Sequence, residues 1–200
     1  MNAASEVRVV LAQERPLQIW RNGGGVTREL LAWPDPERWR LRISMADVER
    51  DGVFSAFPGV SRCLAILDGA GIRLALPGAP AVLRRGAPCV EFDGALAPFC
   101  ELLDGPVRDL NLMTRQGQAG MLPAVVSQCW MPPADAQAGL LTLTAGRWIT
   151  DDRETRLPAC ALLWQERARP SRWWFEPDDP AAGSETVGWW LYYLQDEAHA

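Results

Sequence analysis

Between Trp20 and Glu29 the chain reads Trp-Arg-Asn-Gly-Gly-Gly-Val-Thr-Arg-Glu, with an aromatic ring, an amide, a hydroxyl and a carboxylate around three glycines. Gly23, Gly24 and Gly25 permit positive φ and a close approach of backbone to a ligand. Extended chain beyond them would put Thr27 and Glu29 on one face. The competing reading is a wide hairpin or bulge that leaves Glu29 in solvent. A nucleotide P-loop is excluded, because no Gly-Lys-Ser/Thr follows and no strand-to-helix switch offers N–H groups to a phosphate. Arg42 and Ser44 alternate on one face of Trp39–Val48, a guanidinium fork suited to a carboxylate with a hydroxyl beside it. The loop Asp51–Gly59 carries Phe54, Ser55 and Phe57 and leads into Arg62; its rings form either a lid over a pocket or a plug in a barrel end. Asp109, Asn111 and Met113 make a stripe that either lines the same cavity or satisfies loop donors inside a barrel.

Gathered around one cavity, these side chains would hold a small anion. Arg42, joined by Arg62, would pair a carboxylate, and Asn22, Thr27 and Ser44 would orient it. Trp20 and Phe54 would wall the apolar side, and Glu29 would read an amine or imidazole nitrogen. The alternative is a metal-independent hydrolase or isomerase, with Glu29 or Asp109 as general base and Arg42 stabilising oxyanion charge. A carboxylate beside an arginine has its pKa lowered, which makes it a poor base near neutrality unless it is also desolvated. That ranks binding above catalysis.

The elements that must position these groups read as strands. In Trp39–Val48, Leu41, Ile43, Met45 and Val48 mark one face and Arg40, Arg42 and Ser44 the other. Arg62–Leu67 runs into Asp68-Gly69 and then Gly71–Leu76, the clearest hairpin signal in the chain. Arg108–Met113 alternates again, and Val125–Met131, Gly139–Ala145 and Cys160–Glu166 read as further strands. Sixteen prolines and seventeen glycines cut the 200 residues into short runs, so helices are few and a barrel or sandwich is implied. The length and strand count predict two consecutive β-modules with a seam near Arg115–Pro123. Two aromatic runs, Trp173–Phe175 and Trp189–Tyr193, flank the polar stretch 176–186. They seal a core or a subunit contact, and a homodimer built on them is the interaction-protein alternative.

Residue supply closes other routes. His199 is the sole histidine, so a metal centre of two or three imidazoles is not expected, and no loop has EF-hand spacing. The five cysteines are dispersed without a CxxC and lack a histidine base near them, so free thiols are expected rather than disulfides or a nucleophile. All twenty basic residues are arginine, yet the net charge is −5 and the pI about 5.0, which argues against a nucleic-acid partner. No apolar run reaches the ~18 residues of a membrane span, and no secretory leader pattern opens the chain; a cytoplasmic location is expected.

The segments Trp20–Glu29, Arg40–Val48, Asp51–Val60 with Arg62, and Gly105–Met113 resemble, in order, the signature blocks of the HutD/Ves family. The resemblance covers about the first 115 residues and loosens from 116 to 200. It implies an all-β bicupin: a cupin-type barrel over 1–115 that carries the motifs and a more divergent one over 116–200. It also implies a link to bacterial histidine utilisation in one branch and to stress-induced proteins in the other, with no established catalytic activity. The implied partner is a small anionic metabolite such as urocanate, formylglutamate or formate, bound without a cofactor or metal. One departure is that Phe92-Asp-Gly-Ala95 stands where the family tends to carry Phe-x-Gly-Asp, which puts any role of that acidic residue in question.

Overall fold

A computed structural model of the chain describes residues 6–179 and 186–196. His199 and positions 180–185 of the polar stretch lie outside the described residues. Short β-strands follow one another with two single 3-10 turns, Ala12–Glu14 and Gly94–Leu96, and no α-helix among the described residues. In chain order they are β1 (Val7–Leu11), β2 (Leu17–Ile19), β3 (Gly25–Trp33), β4 (Leu41–Val48), β5 (Gly52–Val53) and β6 (Ser61–Asp68). Next come β7 (Ile72–Leu74), β8 (Ala81–Leu83), β9 (Val90–Asp93), β10 (Phe99–Leu102) and β11 (Val107–Thr114). The chain then continues through β12 (Gln118–Val125), β13 (Gln137–Thr142), β14 (Gly146–Ile149), β15 (Glu154–Leu157), β16 (Ala161–Gln165), β17 (Trp174–Pro177) and β18 (Thr186–Leu194).

Two compact units divide at Gln116/Gly117. The first, Arg15–Gln116, sets a six-stranded sheet, β2-β3-β4-β11-β6-β9, against a four-stranded one, β5-β10-β7-β8. The second takes the described residues after 116 and also residues 6–14, because β1 pairs with β16 through Val7↔Gln165 to Leu11↔Ala161. An N-terminal barrel built from 1–115 is therefore corrected: its first strand belongs to the other unit. That unit has sheets β1-β16-β13-β18-β12 and β15-β14-β17.

Strand alternation places the interior of the first unit. β4 pairs without a break to β11, from Val107↔Val48 to Thr114↔Leu41, so residues 42, 44, 46 and 48 share one face. Val48 thus sits on the inner face with Arg42 and Ser44, packed with Phe54, Leu64 and Ile66, and not with Leu41, Ile43 and Met45 as the sequence suggested. The expected 62–67/71–76 hairpin does not form. β6 is flanked by β11 and β9, while β7 pairs with β10 and β8 in the other sheet. Both edges of β6 are occupied, and the corner Gly69–Gly71 carries the chain across. A Cβ at Gly69 would meet the Pro106 carbonyl at 2.6 Å, and its φ is +90°.

In the second unit, the strand read over Val125–Met131 is replaced by β12, which ends at Val125. Ser127 takes φ +65° and Gln128 N donates to Val125 O in a turn, which ends the strand. The stretch where the sequence placed a seam, near Arg115–Pro123, is largely taken up by this strand. Pro123 is tolerated because β12 is an edge strand. The core of this unit is indole-rich. Trp130 stacks on Trp190 at 5.3 Å, and Trp173 meets Trp130, Trp148 and Trp190 edge-on at 5.5, 5.0 and 6.1 Å. Offset and edge-to-face rings add to the area term of such a core. Replacing the buried Trp173 by alanine is expected to lower the unfolding free energy by about 3–5 kcal/mol, read by urea titration of far-UV ellipticity.

Candidate functional site

The inner face of the first unit encloses a cavity of about 420 Å3. Cross-strand register brings its polar wall together: Asp109 opposes Ala46, Asn111 opposes Ser44, and Met113 lies between Arg42 on one side and Arg62 on the other. All of these side chains line the cavity, as do Trp20, Asn22, Thr27, Phe54 and Ser55.

Arg62 is the most constrained of them. Only 4% exposed, it holds its guanidinium carbon 5.3, 5.6 and 5.0 Å from the ring centres of Phe54, Phe57 and Phe92. Nη2 donates to Asn111 Oδ1 at 2.7 Å and Nη1 makes a long contact of 3.4 Å to the Ser55 carbonyl, while Nε has no partner. Burial pulls its pKa down to about 10; Asp109 opposes that shift and Arg42 adds to it. Arg62 therefore stays a cation at neutral pH. Asn111 Nδ2 in turn donates to Asp109 Oδ1 at 2.7 Å, and Asp109 Oδ2 is buried with no partner. Burial pushes Asp109 up to about 7, against the pull of Arg62, the Asn111 bond and the Ala46 backbone, with Asp47 adding to the rise.

The remaining groups are partly committed to one another. Arg42 Nε donates to Glu29 Oε2 at 2.7 Å. The Trp20 indole donates to the Thr27 hydroxyl at 2.8 Å and its ring meets Phe54 edge-on at 6.0 Å.

Four residues expected at the site do not line the cavity. Gly23, Gly24 and Gly25 form the turn of the β2–β3 hairpin: Trp20 N donates to Gly25 O, Gly23 N to Trp20 O, and Gly24 N to Asn22 Oδ1. Gly23 needs its φ of +63°, and a Cβ at Gly25 would fall 2.4 Å from the Asp47 carbonyl beneath the Trp20 ring. The glycine run makes a close backbone crossing outside the cavity lining. Glu29 also lies off the cavity wall, half-buried, with its carboxylate held by Arg42. Phe57 of the Asp51–Gly59 loop also lines the cavity, and the sequence reading missed Gln18, Ile19, Arg21, Ala46 and Val53, which complete it. Continuing the Arg42–Ser44 alternation by one step would have found Ala46. A three-residue strand such as β2 gives no periodic signal for Gln18 and Ile19. Ala95, the departure from the family pattern, sits in the Gly94–Leu96 turn and is not in the lining, whereas Phe92 lies under Arg62.

As a metal site the cavity is a poor fit, since three guanidinium groups and one carboxylate repel a cation more than they ligate it. Among the described residues no group of three or more His, Cys, Asp or Glu side chains could hold a metal ion. No helix among them is long and apolar enough to cross a membrane.

Two antiparallel β-units, one with a polar cavity, define a cupin-type protein. The fold is similar to that of a mutant Bacillus subtilis oxalate decarboxylase, with TM-score 0.59 at 10% identity, covering 100% of this chain and 80% of that one. The chain belongs to the HutD family, whose model matches residues 12–179. It is 31% identical to the protein Ves of Cronobacter sakazakii over 80% of this chain and 88% of that one. It is 37% identical to an uncharacterised 21.2 kDa protein of the hutC 3′ region of Pseudomonas putida, over 54% of this chain and 58% of that protein. A conserved protein of unknown function from Pseudomonas aeruginosa PAO1 has TM-score 0.79 at 28% identity, covering 96% of this chain and all of that one.

The raised Asp109 pKa has a consequence for stability. A carboxyl whose pKa rises from 3.8 unfolded to about 7 folded binds its proton more tightly in the native state. Wild-type stability therefore falls as pH climbs from about 4 to about 7 and levels off above that. Relative to wild type, Asp109→Asn is expected to gain melting temperature steadily across that window, measured by thermal unfolding in a pH series.

Proposed function

We propose that the cavity of the first unit binds a small carboxylate metabolite, and that the protein is a cytoplasmic regulator or accessory factor of histidine utilisation or a stress response. The observation that carries this reading is Arg62: a buried cation with an unpartnered Nε, fixed over three phenylalanine rings in the wall of a cavity of metabolite size. Arg42, Ser44 and Asn22 are the groups that would orient the bound anion. Titration calorimetry with urocanate, formylglutamate, formiminoglutamate and formate tests it. At least one is expected to bind, with affinity falling by about a hundredfold in Arg62→Gln and less in Arg62→Lys, which keeps the charge but loses the fork. No heat with any of the four, or full affinity in a folded Arg62→Gln protein, overturns the reading.

One observation favours the catalytic alternative, in which the cavity houses a metal-independent hydrolase or isomerase. Asp109, desolvated and held near 7, is poised as a general base in a way that Glu29, tied to Arg42, is not. On that reading the wild type converts one of these compounds, and Asp109→Asn abolishes turnover while binding survives. If the compound that binds is recovered unchanged after prolonged incubation, binding stands alone.

A further inference from the structure

Of the three arginines in the cavity lining, Arg21 is exposed to solvent, and the two withdrawn from it, Arg42 and Arg62, each already have a carboxylate to balance them. Arg42 is ion-paired to Glu29, and Arg62 reaches Asp109 through Asn111. With both acids ionised these four withdrawn charges cancel, Arg21 is screened by the solvent it faces, and an incoming carboxylate is an uncompensated third anion against the buried wall. Arg62 is firmly charged, so relief comes from an acid. Glu29 is directly ion-paired and lies off the cavity wall. Asp109 lines the cavity and has one oxygen to spare: Oδ1 accepts from Asn111, and Oδ2 is buried without a partner.

Resting on the carboxylate-site reading above, we infer that the cavity takes up its anion together with one proton, which is carried on Asp109 Oδ2. The proton comes from solvent, the new bond is O–H, and the pocket returns to charge balance. The same step turns Oδ2 from an acceptor that repels the anion into a donor that can hydrogen-bond it. The ligand class is then a carboxylate whose own charge is uncompensated, bound as the ion plus a proton.

The charged and titratable neighbours of Asp109 are consistent with this. From β6 comes Arg62 and from β4 Arg42, itself engaged by Glu29 of β3. Asp47, next along β4 from Ala46, adds negative field; it is held by Arg28 and Arg108 and kept low as a result. On β10, the Cys100 thiol is pushed up to about 12 by burial, Asp109 and Asp51, so it holds its proton throughout. Asp109 alone of this set sits near neutrality, and a bound anion beside it raises its pKa further.

The test is titration calorimetry of the full chain with formate, formylglutamate and urocanate, in two buffers of different ionisation enthalpy. For a carboxylate that binds, uptake close to one proton per anion is expected at about pH 8.5, and little at about pH 6. Affinity is expected to weaken by about tenfold per pH unit above about 7. Asp109→Asn, which presents a fixed donor in place of the acid, is expected to bind without proton uptake and with affinity flat across that range. Binding by the wild type with no buffer-dependent heat overturns the inference and leaves the carboxylate site standing. Uptake that persists in Asp109→Asn overturns the assignment to Asp109. Absence of binding by all three probes removes both. The wild-type measurement decides the coupling even if the variant fails to fold.

Discussion

A guanidinium withdrawn from water needs compensation on every side, and the first unit is arranged around supplying it to Arg62. Three aromatic faces, the Asn111 carbonyl and the Asp109 charge together replace what solvation gave up. The groups come from widely separated places: Phe54 and Phe57 from the loop after β5, Phe92 from β9, Asn111 and Asp109 from β11. Phe92 and Asn111 meet Arg62 across its own sheet, because β9 and β11 flank β6, while Phe54 and Phe57 arrive only when the loop after β5 folds over it. The cavity is thus a product of the same closure that allows the charge to be buried. Its free donor and free acceptor, Arg62 Nε and Asp109 Oδ2, are what that compensation leaves over.

Around this centre the second layer is structural. The Trp20–Glu29 segment does two jobs in the fold. Its glycines let the β2–β3 turn lie against the Asp47 carbonyl and the Trp20 ring, which positions Trp20 and Asn22 in the lining. Its Glu29 holds Arg42 at 2.7 Å, so that this arginine is oriented by a counter-charge before any ligand arrives. The Trp20–Thr27 bond likewise fixes an indole wall at the cost of one hydroxyl that could have faced the ligand.

The two units solve the interior of a β-barrel differently. Arg15–Gln116 keeps a polar stripe inside and a cavity above it. The second unit packs Trp148, Trp173, Trp190 and Phe175 together with aliphatic residues. Large rings bury area efficiently, and the aromatic runs near the C-terminus belong chiefly to a core.

Much of this was legible in the residues. Period-two alternation assigned Arg42 with Ser44, and Asp109 with Asn111 and Met113, to common faces, because strand geometry is local and any four or five residues report it. The inventory, one histidine and no lysine, bounded the chemistry without any fold at all. What the sequence left undecided depends on partners distant along the chain. Val48 could be assigned to the wrong face because both faces of β4 are apolar at that end. The Asp68-Gly69 signal marked a true turn but not which sheet the chain enters next, since that is decided by β11 and β9 occupying both edges of β6. The pairing of Glu29 with Arg42, the aromatic box around Arg62 and the near-neutral Asp109 were decided only by tertiary structure. Desolvation and charge coupling are sums over groups far apart along the chain, Arg62 and Asn111 by 49 residues among them, and no local pattern carries them.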